Sequence, residues 1–390
     1  MNMTITCYKE LGEITIWDKK FNSVGNKYTN KVISTKHVSA EKLKSLENTG
    51  DIKLLSTGLF DGYTDCADTS IINDLEVITI PSGGTANIKY YNGKFIDSGN
   101  LLAVSSNPKL YNLKYIYYYL QKHISLIEGA FRGASIKHPQ MEDILSIKIP
   151  VCDITTQNQI VSILSELDNK IEQQNQRIDK FKKIKQSFLE LLFPQNTDIP
   201  QLRFNSFTDT WEQRKLSRCS EISTGGTPNT QIEKYWSPKE IPWMSSGEIH
   251  KKYISFTDNM ISKEGLNNSS AKYIPKKSVL MAIAGQGKTR ATVALNLIPI
   301  TTNQSVAAII LNNTMIPEFV LYNLESRYEE LRQISAGDGS RSGLNKQLVS
   351  EIVIPYTEKE EQNKIGLFFN TLDNLITLHQ RKPFHLNFSL

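Results

Sequence analysis

Apolar residues recur at alternating steps of four and three along one stretch of this chain, and the rest of the sequence is arranged around it. Ile160, Leu167, Gln174, Phe181 and Phe188 fall at sevens, and so do Leu164, Ile171, Ile178, Lys185 and Leu192. Two interleaved series of this kind form the seam of a coiled coil. Only Gln174 and Lys185 interrupt it, and polar seam residues fix register at some cost in stability. Asp153, Thr155 or Thr156 is suited to cap the start, and Pro194 follows the end. The pattern predicts one helix from Gln157 to Phe193, roughly 55 Å long. A helix lying on a globular core would show a wider apolar stripe of looser period, so a seam this narrow requires a partner helix.

The partner is in the same chain. Shifted by 205 positions, Ile149-Pro150 falls on Ile354-Pro355, Gln157-Asn158 on Gln362-Asn363 and Ile160 on Ile365. Leu167-Asp168-Asn169 falls on Leu372-Asp373-Asn374, and Ile171 on Ile376. Weaker matches continue upstream at the same offset: Ser135 with Ser340, Asn107 with Asn312, Tyr117 with Tyr322, Leu75 with Leu280 and Leu11 with Leu216. A repeat this long describes a duplicated domain, not a stacked array. The chain therefore reads as two copies of one plan, a globular unit followed by a helix, with the second helix starting near Glu358. Pseudo-two-fold symmetry would set the two helices antiparallel, with one globular domain near each end. After Ile376 the copy fails. Pro383 stops a helix that should continue, and the segment from His379 to Leu390 does not resemble Phe181 to Phe193. That tail reads as recombined or out-of-frame sequence.

Within the first globular stretch, Leu43 to Leu55 has no clear period. Strand signals are stronger at Glu76–Ile80, Ile88–Tyr91 and Asn100–Ser105, with a turn at Pro81-Ser-Gly-Gly84. Tyr111 to Ile127 is predicted helical, and Gly129 to Lys137 a loop. In the second stretch, Ser278–Ala284, Thr292–Ile298 and Ser305–Leu311 read as strands. Pro317 to Ile334 reads as a helix, and Ser335 to Gly343 as a flexible loop. Strands with helices packed against them give a mixed α/β fold in both halves. The expected boundaries are 1–147 for the first globular domain, 148–200 for the central helix and a Pro-rich linker, 201–352 for the second domain, and 353–390 for the second, shortened helix with its tail.

Composition narrows the class. At 390 residues the chain is long enough for two domains with proper cores. No run of about 18 apolar residues is present, so no membrane span is expected, and MNMTITCYKE lacks the apolar region of a signal peptide. Cys7, Cys66, Cys152 and Cys219 are scattered, with neither metal nor disulfide spacing, which suits a reduced cytoplasm. Histidines such as His37 and His250 are isolated. A net charge of +5 and a pI near 8.7 lean toward a polyanion without making an electrostatic case by themselves.

The candidate chemistry lies in loops. Ala282-Ile-Ala-Gly-Gln-Gly-Lys-Thr289 is one residue away from a phosphate-binding P-loop, Ala282 standing where the first glycine belongs. That mechanism needs a helix N-terminus facing the phosphates, and Arg290 to Leu295 reads as a strand, so the segment is a hairpin tip. Gln286, Lys288, Thr289 and Arg290 on such a tip suit base edges and phosphates. Lys89, Tyr90, Tyr91, Lys94, Arg132, Lys137, Arg341 and Lys346 recur at related places in the two halves, and Trp243 closes an aromatic loop from Lys234. These form the candidate DNA-facing set. No catalytic constellation is visible: there is no Asn-Pro-Pro-Tyr or Asp-Pro-Pro-Tyr run and no Gly-x-Ser-x-Gly elbow. A duplicated architecture without chemistry favours recognition.

The segment Ile149-Pro150 followed by Gln157-Asn-Gln-Ile-Val-Ser-Ile-Leu-Ser-Glu-Leu-Asp-Asn-Lys-Ile171 resembles the conserved helical region of type I restriction–modification specificity subunits, and so does its second copy from Glu361. Trp211-Glu-Gln-Arg-Lys-Leu216, Thr224-Gly-Gly-Thr-Pro228 and Tyr235-Trp236 through Ile241-Pro-Trp243 resemble the opening of their second target-recognition domain. The first half departs from that pattern, having Trp17-Asp-Lys-Lys-Phe21 instead of Thr-Gly-Gly-Thr-Pro. The resemblance implies a non-catalytic recognition subunit. Each globular domain would read one half of a bipartite target on double-stranded DNA. The helices would act as spacer through Ile160, Leu164, Leu167, Ile171, Ile178, Phe181, Ile365, Leu372 and Ile376, and would dock two modification subunits. No cofactor or metal is expected on this chain: S-adenosylmethionine would sit on the modification subunits, and ATP with Mg2+ on restriction subunits. A silent or exchangeable cassette, assembling poorly because of its short second helix, is the alternative. A P-loop enzyme is a further one.

Overall fold

The computed structural model describes residues 7–18, 31–59, 61–194, 198–205, 207–284, 288–334 and 343–380. They form two compact units, and the division falls between Glu172 and Gln173.

Unit 1 begins with β1 (Cys7–Glu10), a single helical turn α1 (Leu11–Ile14) and β2 (Thr15–Trp17). The Glu10 N–H donates to the Glu13 carboxylate at 2.8 Å, one arm of a capping box that starts α1. Then come α2 (Ala40–Ser45), β3 (Ile52–Leu55), β4 (Gly62–Thr64), β5 (Asn73–Pro81), β6 (Lys89–Asp97) and β7 (Asn100–Ser105). Six strands make one sheet in the order β2-β7-β5-β6-β3-β4, antiparallel except for the β3–β6 pair. The central β5 is buried on both faces, as its unbroken Val77-Ile-Thr-Ile80 run requires. Ile78 and Ile80 pack with Ile116 and Leu120, while Val77 packs with Phe95 and Leu102 on the other side. His37 ties the 31–38 segment to this sheet, its ring nitrogens 2.6 Å from Asp97 and 2.9 Å from Asp18.

The helix expected over Tyr111–Ile127 is two helices, α3 (Leu113–Lys122) and α4 (Ile124–Gly129), because His123 leaves helical geometry at φ −109° and ψ 40°. The expected loop after it carries a small hairpin, β8 (Phe131–Arg132) with β9 (His138–Pro139), before α5 (Met141–Leu145). Strand β10 (Lys148–Val151) returns antiparallel to β1, from Cys7↔Val151 to Glu10↔Lys148, and closes the domain. The long helix α6 (Ile154–Leu192) follows. Asp153 is its cap: the Thr156 N–H and hydroxyl donate to that carboxylate at 2.9 and 2.6 Å.

Unit 2 takes the C-terminal part of α6 and then β11 (Glu212–Lys215), α7 (Leu216–Cys219), β12 (Ser220–Thr224), β13 (Ile241–Met244), β14 (Tyr253–Ile254), β15 (Asn259–Ile261) and α8 (Lys263–Asn267). Next are β16 (Val279–Ala282), β17 (Val293–Asn296), β18 (Thr301–Thr302) and β19 (Val306–Leu311). The strands make a five-stranded sheet, β12-β19-β16-β17-β14, and a three-stranded one, β15-β13-β18. Helices α9 (Pro317–Ser326) and α10 (Tyr328–Gln333) replace the single helix expected over Pro317–Ile334, the break falling at Arg327. Helix α11 (Lys346–Glu351), β20 (Val353–Tyr356) and α12 (Lys359–Gln380) complete the unit. The β11–β20 ladder runs from Glu212↔Tyr356 to Lys215↔Val353, which is the β1–β10 register with both partners moved by 205.

Within unit 2 the end of α6 lies along α12 with numbering in opposite directions. The Gln174 amide donates to the His379 carbonyl at 2.5 Å, and Phe181 stacks on the His379 ring at 5.4 Å. Phe188 meets Phe368 edge-on at 5.0 Å, and Phe193 stacks on Phe369 at 6.0 Å. Ile178, Ile365 and Ile376 are buried, Phe181 and Leu372 half-buried. In unit 1, Ile160 packs on the domain core, Leu164 and Leu167 are half-buried, and Ile171 is exposed. The expected shortening of the second helix concerns residues 381–390, outside the described residues.

Candidate nucleic-acid interface

In unit 1 the structure brings together two loops that the sequence kept apart. The Gly84 N–H donates to the Lys137 carbonyl at 2.8 Å, and the His138 ring lies 2.9 Å from the Ser82 carbonyl. The 82–84 turn therefore lies against the β8–β9 hairpin. A side chain at Gly83 would press on the His138 ring at 3.0 Å, and Gly84 has φ +100°, so glycine suits both positions. Arg132 and Lys137 are both exposed on this hairpin. Arg132 is partly engaged already, bonding the Gly129 carbonyl and lying 3.2 Å from Asp143.

In unit 2 the corresponding strand–strand connection is fastened to a helix instead. The Arg290 guanidinium donates to the Arg332 carbonyl at 2.9 Å, and the Tyr328 hydroxyl donates to the Lys288 carbonyl at 2.6 Å. These bonds fasten the β16–β17 connection to α10. A Cβ on Gly343 would stand 3.0 Å from the Ile283 carbonyl, so the chain re-enters beside the same connection. Lys288 is exposed; Thr289 and Arg290 are half-buried. Gln286 and Arg341, expected on these loops, lie outside the described residues. The near-P-loop stretch joins strand β16 to strand β17, and among its described residues there is no helix N-terminus of the kind a phosphate would need.

Other candidates sit elsewhere. Lys89 is spent inside the fold: its ammonium lies 2.5 Å from the Asp61 carboxylate and donates to the Ser56 carbonyl at 2.8 Å, pinning the β3–β4 connection. The Tyr90 hydroxyl donates to Glu76 at 2.8 Å, and burial raises its pKa. Tyr91 packs edge-on against Phe95 at 6.0 Å. Lys94 is exposed on β6, opposite Asp74 in the ladder. Trp243 is a core residue and not a surface reader. It is 7% exposed, its indole N–H donates to the Gly226 carbonyl at 3.0 Å, and Trp236 meets it edge-on at 5.2 Å. Lys346 is exposed at the first position of α11, behind the Asn345 cap.

Trp243 helps to build the Thr224-Gly-Gly-Thr-Pro228 loop. An added Cβ at Gly225 or Gly226 would strike the Thr302 carbonyl or the Ser270 hydroxyl at about 2 Å, so only glycine permits this approach. The loop presents Thr227, whose hydroxyl donates to the Gln304 side-chain carbonyl at 2.8 Å, both residues being exposed. Gln304 carries an amide of the kind suited to base edges, and the sequence did not single it out because its partner is 77 positions away. Of Trp17-Asp-Lys-Lys-Phe21, the first unit's counterpart, Trp17 and Asp18 are buried and the rest lies outside the described residues.

Each long helix is fastened to its globular domain by the same device. The buried Gln157 amide accepts the Asn112 N–H at 2.9 Å and donates to the carbonyls of Leu110 and Cys152 at 2.9 and 2.8 Å. The buried Gln362 amide accepts the Ile316 N–H at 2.9 Å and donates to those of Thr314 and Thr357 at 3.2 and 2.7 Å. About three turns further on, the Tyr118 hydroxyl donates to Asp168 at 2.5 Å and the Tyr322 hydroxyl to Asp373 at 2.7 Å. Tyr322 is thus the structural counterpart of Tyr118, not of Tyr117 as the constant offset suggested; one residue slips between the halves. Burial opposes ionisation of Asp373, but Lys252 and Lys185 beside it outweigh that and hold its carboxyl below the usual range. At the head of α12, the fully buried Glu361 takes a two-pronged contact from Arg203 at 2.7 and 2.8 Å and the Trp211 indole N–H at 2.9 Å.

Among the described residues no helix is long and apolar enough to cross a membrane, and no cluster of three or more His, Cys, Asp or Glu is arranged to hold a metal.

Comparison with known proteins adds a family. The model of the type I restriction modification DNA specificity domain matches this sequence twice, over residues 9–183 and 208–387. The chain is 28% identical to the type I restriction enzyme MjaIX specificity subunit of Methanocaldococcus jannaschii over 47% of its own length, spanning 43% of that protein. It is 23% identical to the MjaVIII specificity subunit of the same organism over 80% of this chain and 75% of that one. With the EcoR124I/EcoR124II specificity subunit of Escherichia coli it shares 24% identity over 68% of this chain and 65% of the other. Among solved structures, the S subunit of a type I restriction–modification system from M. genitalium superposes with a TM-score of 0.69 at 16% identity, covering 97% of this chain and 92% of that one. A chain of another type I R-M system gives a TM-score of 0.53 at 15% identity, covering 96% and 92%. At these identities the structural likeness establishes the fold.

Proposed function

Since the chain belongs to the type I restriction modification DNA specificity family, we propose that it is the sequence-reading subunit of a type I restriction–modification complex. Each globular domain reads one half of a bipartite site on double-stranded DNA. Helices α6 and α12 form an antiparallel coiled coil that spaces the readers. Half-sites about one helical turn apart, roughly 34–36 Å, suit a spacer of this length.

The observation that carries this reading is a recurring contact between a strand–strand connection and the region of the paired helices. In one domain 82–84 lies against the 131–139 hairpin that follows α3 and α4. In the other, Lys288 and Arg290 are bonded to α10, with Gly343 re-entering beside Ile283. Lys137 and Lys288 stand there, suited to phosphate, and phosphate contacts give affinity and register while base contacts give sequence. Lys94, Arg132, Thr289, Arg290 and Lys346 remain candidates beside them, with Thr227 and Gln304 added.

Two modification subunits dock on the long helices, where Ile163, Ile171, Leu367, Leu375 and Leu378 leave apolar side chains in water. S-adenosylmethionine belongs to those subunits, and ATP with Mg2+ to restriction subunits; this chain positions the reaction and performs none of it.

The test is co-purification with the modification subunit, then long-read sequencing of methylated DNA from cells expressing both. A gapped two-part adenine motif is expected. Failure to co-purify together with an absence of any two-part motif would contradict the proposal.

A further inference from the structure

The joint between the second globular domain and the long helices holds a closed ring of alternating charge. Lys185 of α6 lies 2.8 Å from both Glu325 of α9 and Asp373 of α12. Lys252, in the loop before β14, lies 2.6 Å from the same two carboxylates. Two ring members, Lys185 and Asp373, belong to the long helices. The other two, Lys252 and Glu325, belong to the globular domain. Tyr322 fills the centre: its hydroxyl donates to Asp373 and lies 2.5 Å from that of Tyr253, and the lysines stand 5.2 and 4.6 Å from its ring centre.

Such a ring is an expensive way to hold two surfaces together. Drawing four charges partly out of water costs much of what their attraction returns, and apolar residues of similar volume often serve stability as well. The backbone also bends to deliver one of them: Lys252 has φ 60°, a region that disfavours side chains. What the ring provides that an apolar contact does not is a single geometry. Each carboxylate must meet both lysines, so a slide or rotation of the domain on the helices leaves a partly buried charge without its partner. An apolar joint tolerates small slides.

We propose that Lys185, Lys252, Glu325 and Asp373 are positioning residues that fix the angle of the second reading domain on the helix pair, and so the phase of the second half-site. This rests on the DNA-specificity reading. The ring touches no DNA; it acts through the placement of the loops around Lys288 and Thr227.

The test uses the full chain with Lys252→Met and Glu325→Gln together, which removes one charge of each sign and leaves the Lys185–Asp373 pair intact. Glu325→Gln alone is the milder second variant. Two readouts separate this inference from the one beneath it. The first needs no DNA: spin labels at Lys180 on α6 and Asn267 on α8 report their distance distribution by pulsed electron resonance. It is expected to be narrow in the parent, broad in the double variant and intermediate in the single one; equal widths would overturn the ring's role. The second is the methylated motif made with the modification subunit. The two half-sites should stay the same while the gap relaxes to neighbouring lengths. An unchanged, single gap length in a folded double variant would also overturn the role. A parent protein that gives no two-part motif would instead sink the specificity reading, whatever the label distances show.

Discussion

The two joints where a long helix meets its globular domain start from the same parts and end differently. Both use a buried glutamine that brackets three backbone groups, Gln157 in one and Gln362 in the other, and both add a tyrosine–aspartate bond. In unit 1 the aspartate, Asp168, is exposed. In unit 2 its counterpart, Asp373, is enclosed by two lysines. The helix starts diverge too. Thr156 serves a local cap in unit 1, whereas Glu361, its counterpart 205 positions on, anchors Arg203 and Trp211 from the segment between α6 and β11. A duplicated plan thus keeps its uncharged bracket and varies its charged fastening. The backbone geometry of the joint comes from the amide bracket, and the electrostatics differentiate the copies.

The largest effect that would break this comparison is at the helix starts. Glu361→Ala leaves a buried guanidinium and an indole N–H without a partner and should cost ~3–5 kcal/mol, read from denaturant unfolding of the second unit. Thr156→Ala removes only a cap contact and should cost about 1 kcal/mol. Equal losses would mean that the two starts are equivalent.

The aspartates come next. Asp373→Asn should destabilise by roughly 1.5–3 kcal/mol, and Asp168→Asn by about 1 kcal/mol or less. Asp373 also gives a pH signature. Its folded-state pKa is depressed, so its contribution is present above the ordinary carboxylate value and is lost as pH falls through the lower folded value. The stability gap between parent and Asp373→Asn should therefore be constant near neutrality and close below about pH 4. A gap that widens on acidification would contradict the assignment.

The glutamines should match each other. Gln157→Ala and Gln362→Ala each orphan buried backbone groups and should each cost roughly 1–3 kcal/mol; a large inequality would show that the shared bracket is not shared in strength. Smallest are the surface lysines. Lys137→Ala and Lys288→Ala should each lower the salt dependence of DNA binding by about one phosphate contact without changing the motif.

Much of this was legible in sequence where a pattern is periodic or repeated. The seam from Ile160 to Leu192 foretold α6 to within three residues at its start, and the repeat foretold α12 within one. The Asn100–Ser105 strand has its expected bounds. Single-residue breaks were not legible. His123 and Arg327 each stop a helix whose apolar spacing continues past them. The β1–β10 and β11–β20 ladders also escaped, because each pairs strands about 140 positions apart without an alternating pattern. Among site residues, exposure at a loop could be guessed from Lys137 and Lys288. Partners could not: Lys89 and Trp243 read as surface chemistry, but Asp61 and Gly226 take them into the fold. Lys185 read as an interruption of a seam, and only its two distant partners, Glu325 and Asp373, show why a charge stands there.

The most direct measurement is domain exchange. Residues 220–351 are replaced by the corresponding segment of another member of the family, the modification subunit is supplied, and the methylated motif is read by long-read sequencing. One half-site should change, while the other half-site and the gap stay as in the parent. A change in both halves, or in neither, would contradict two independent readers on one spacer.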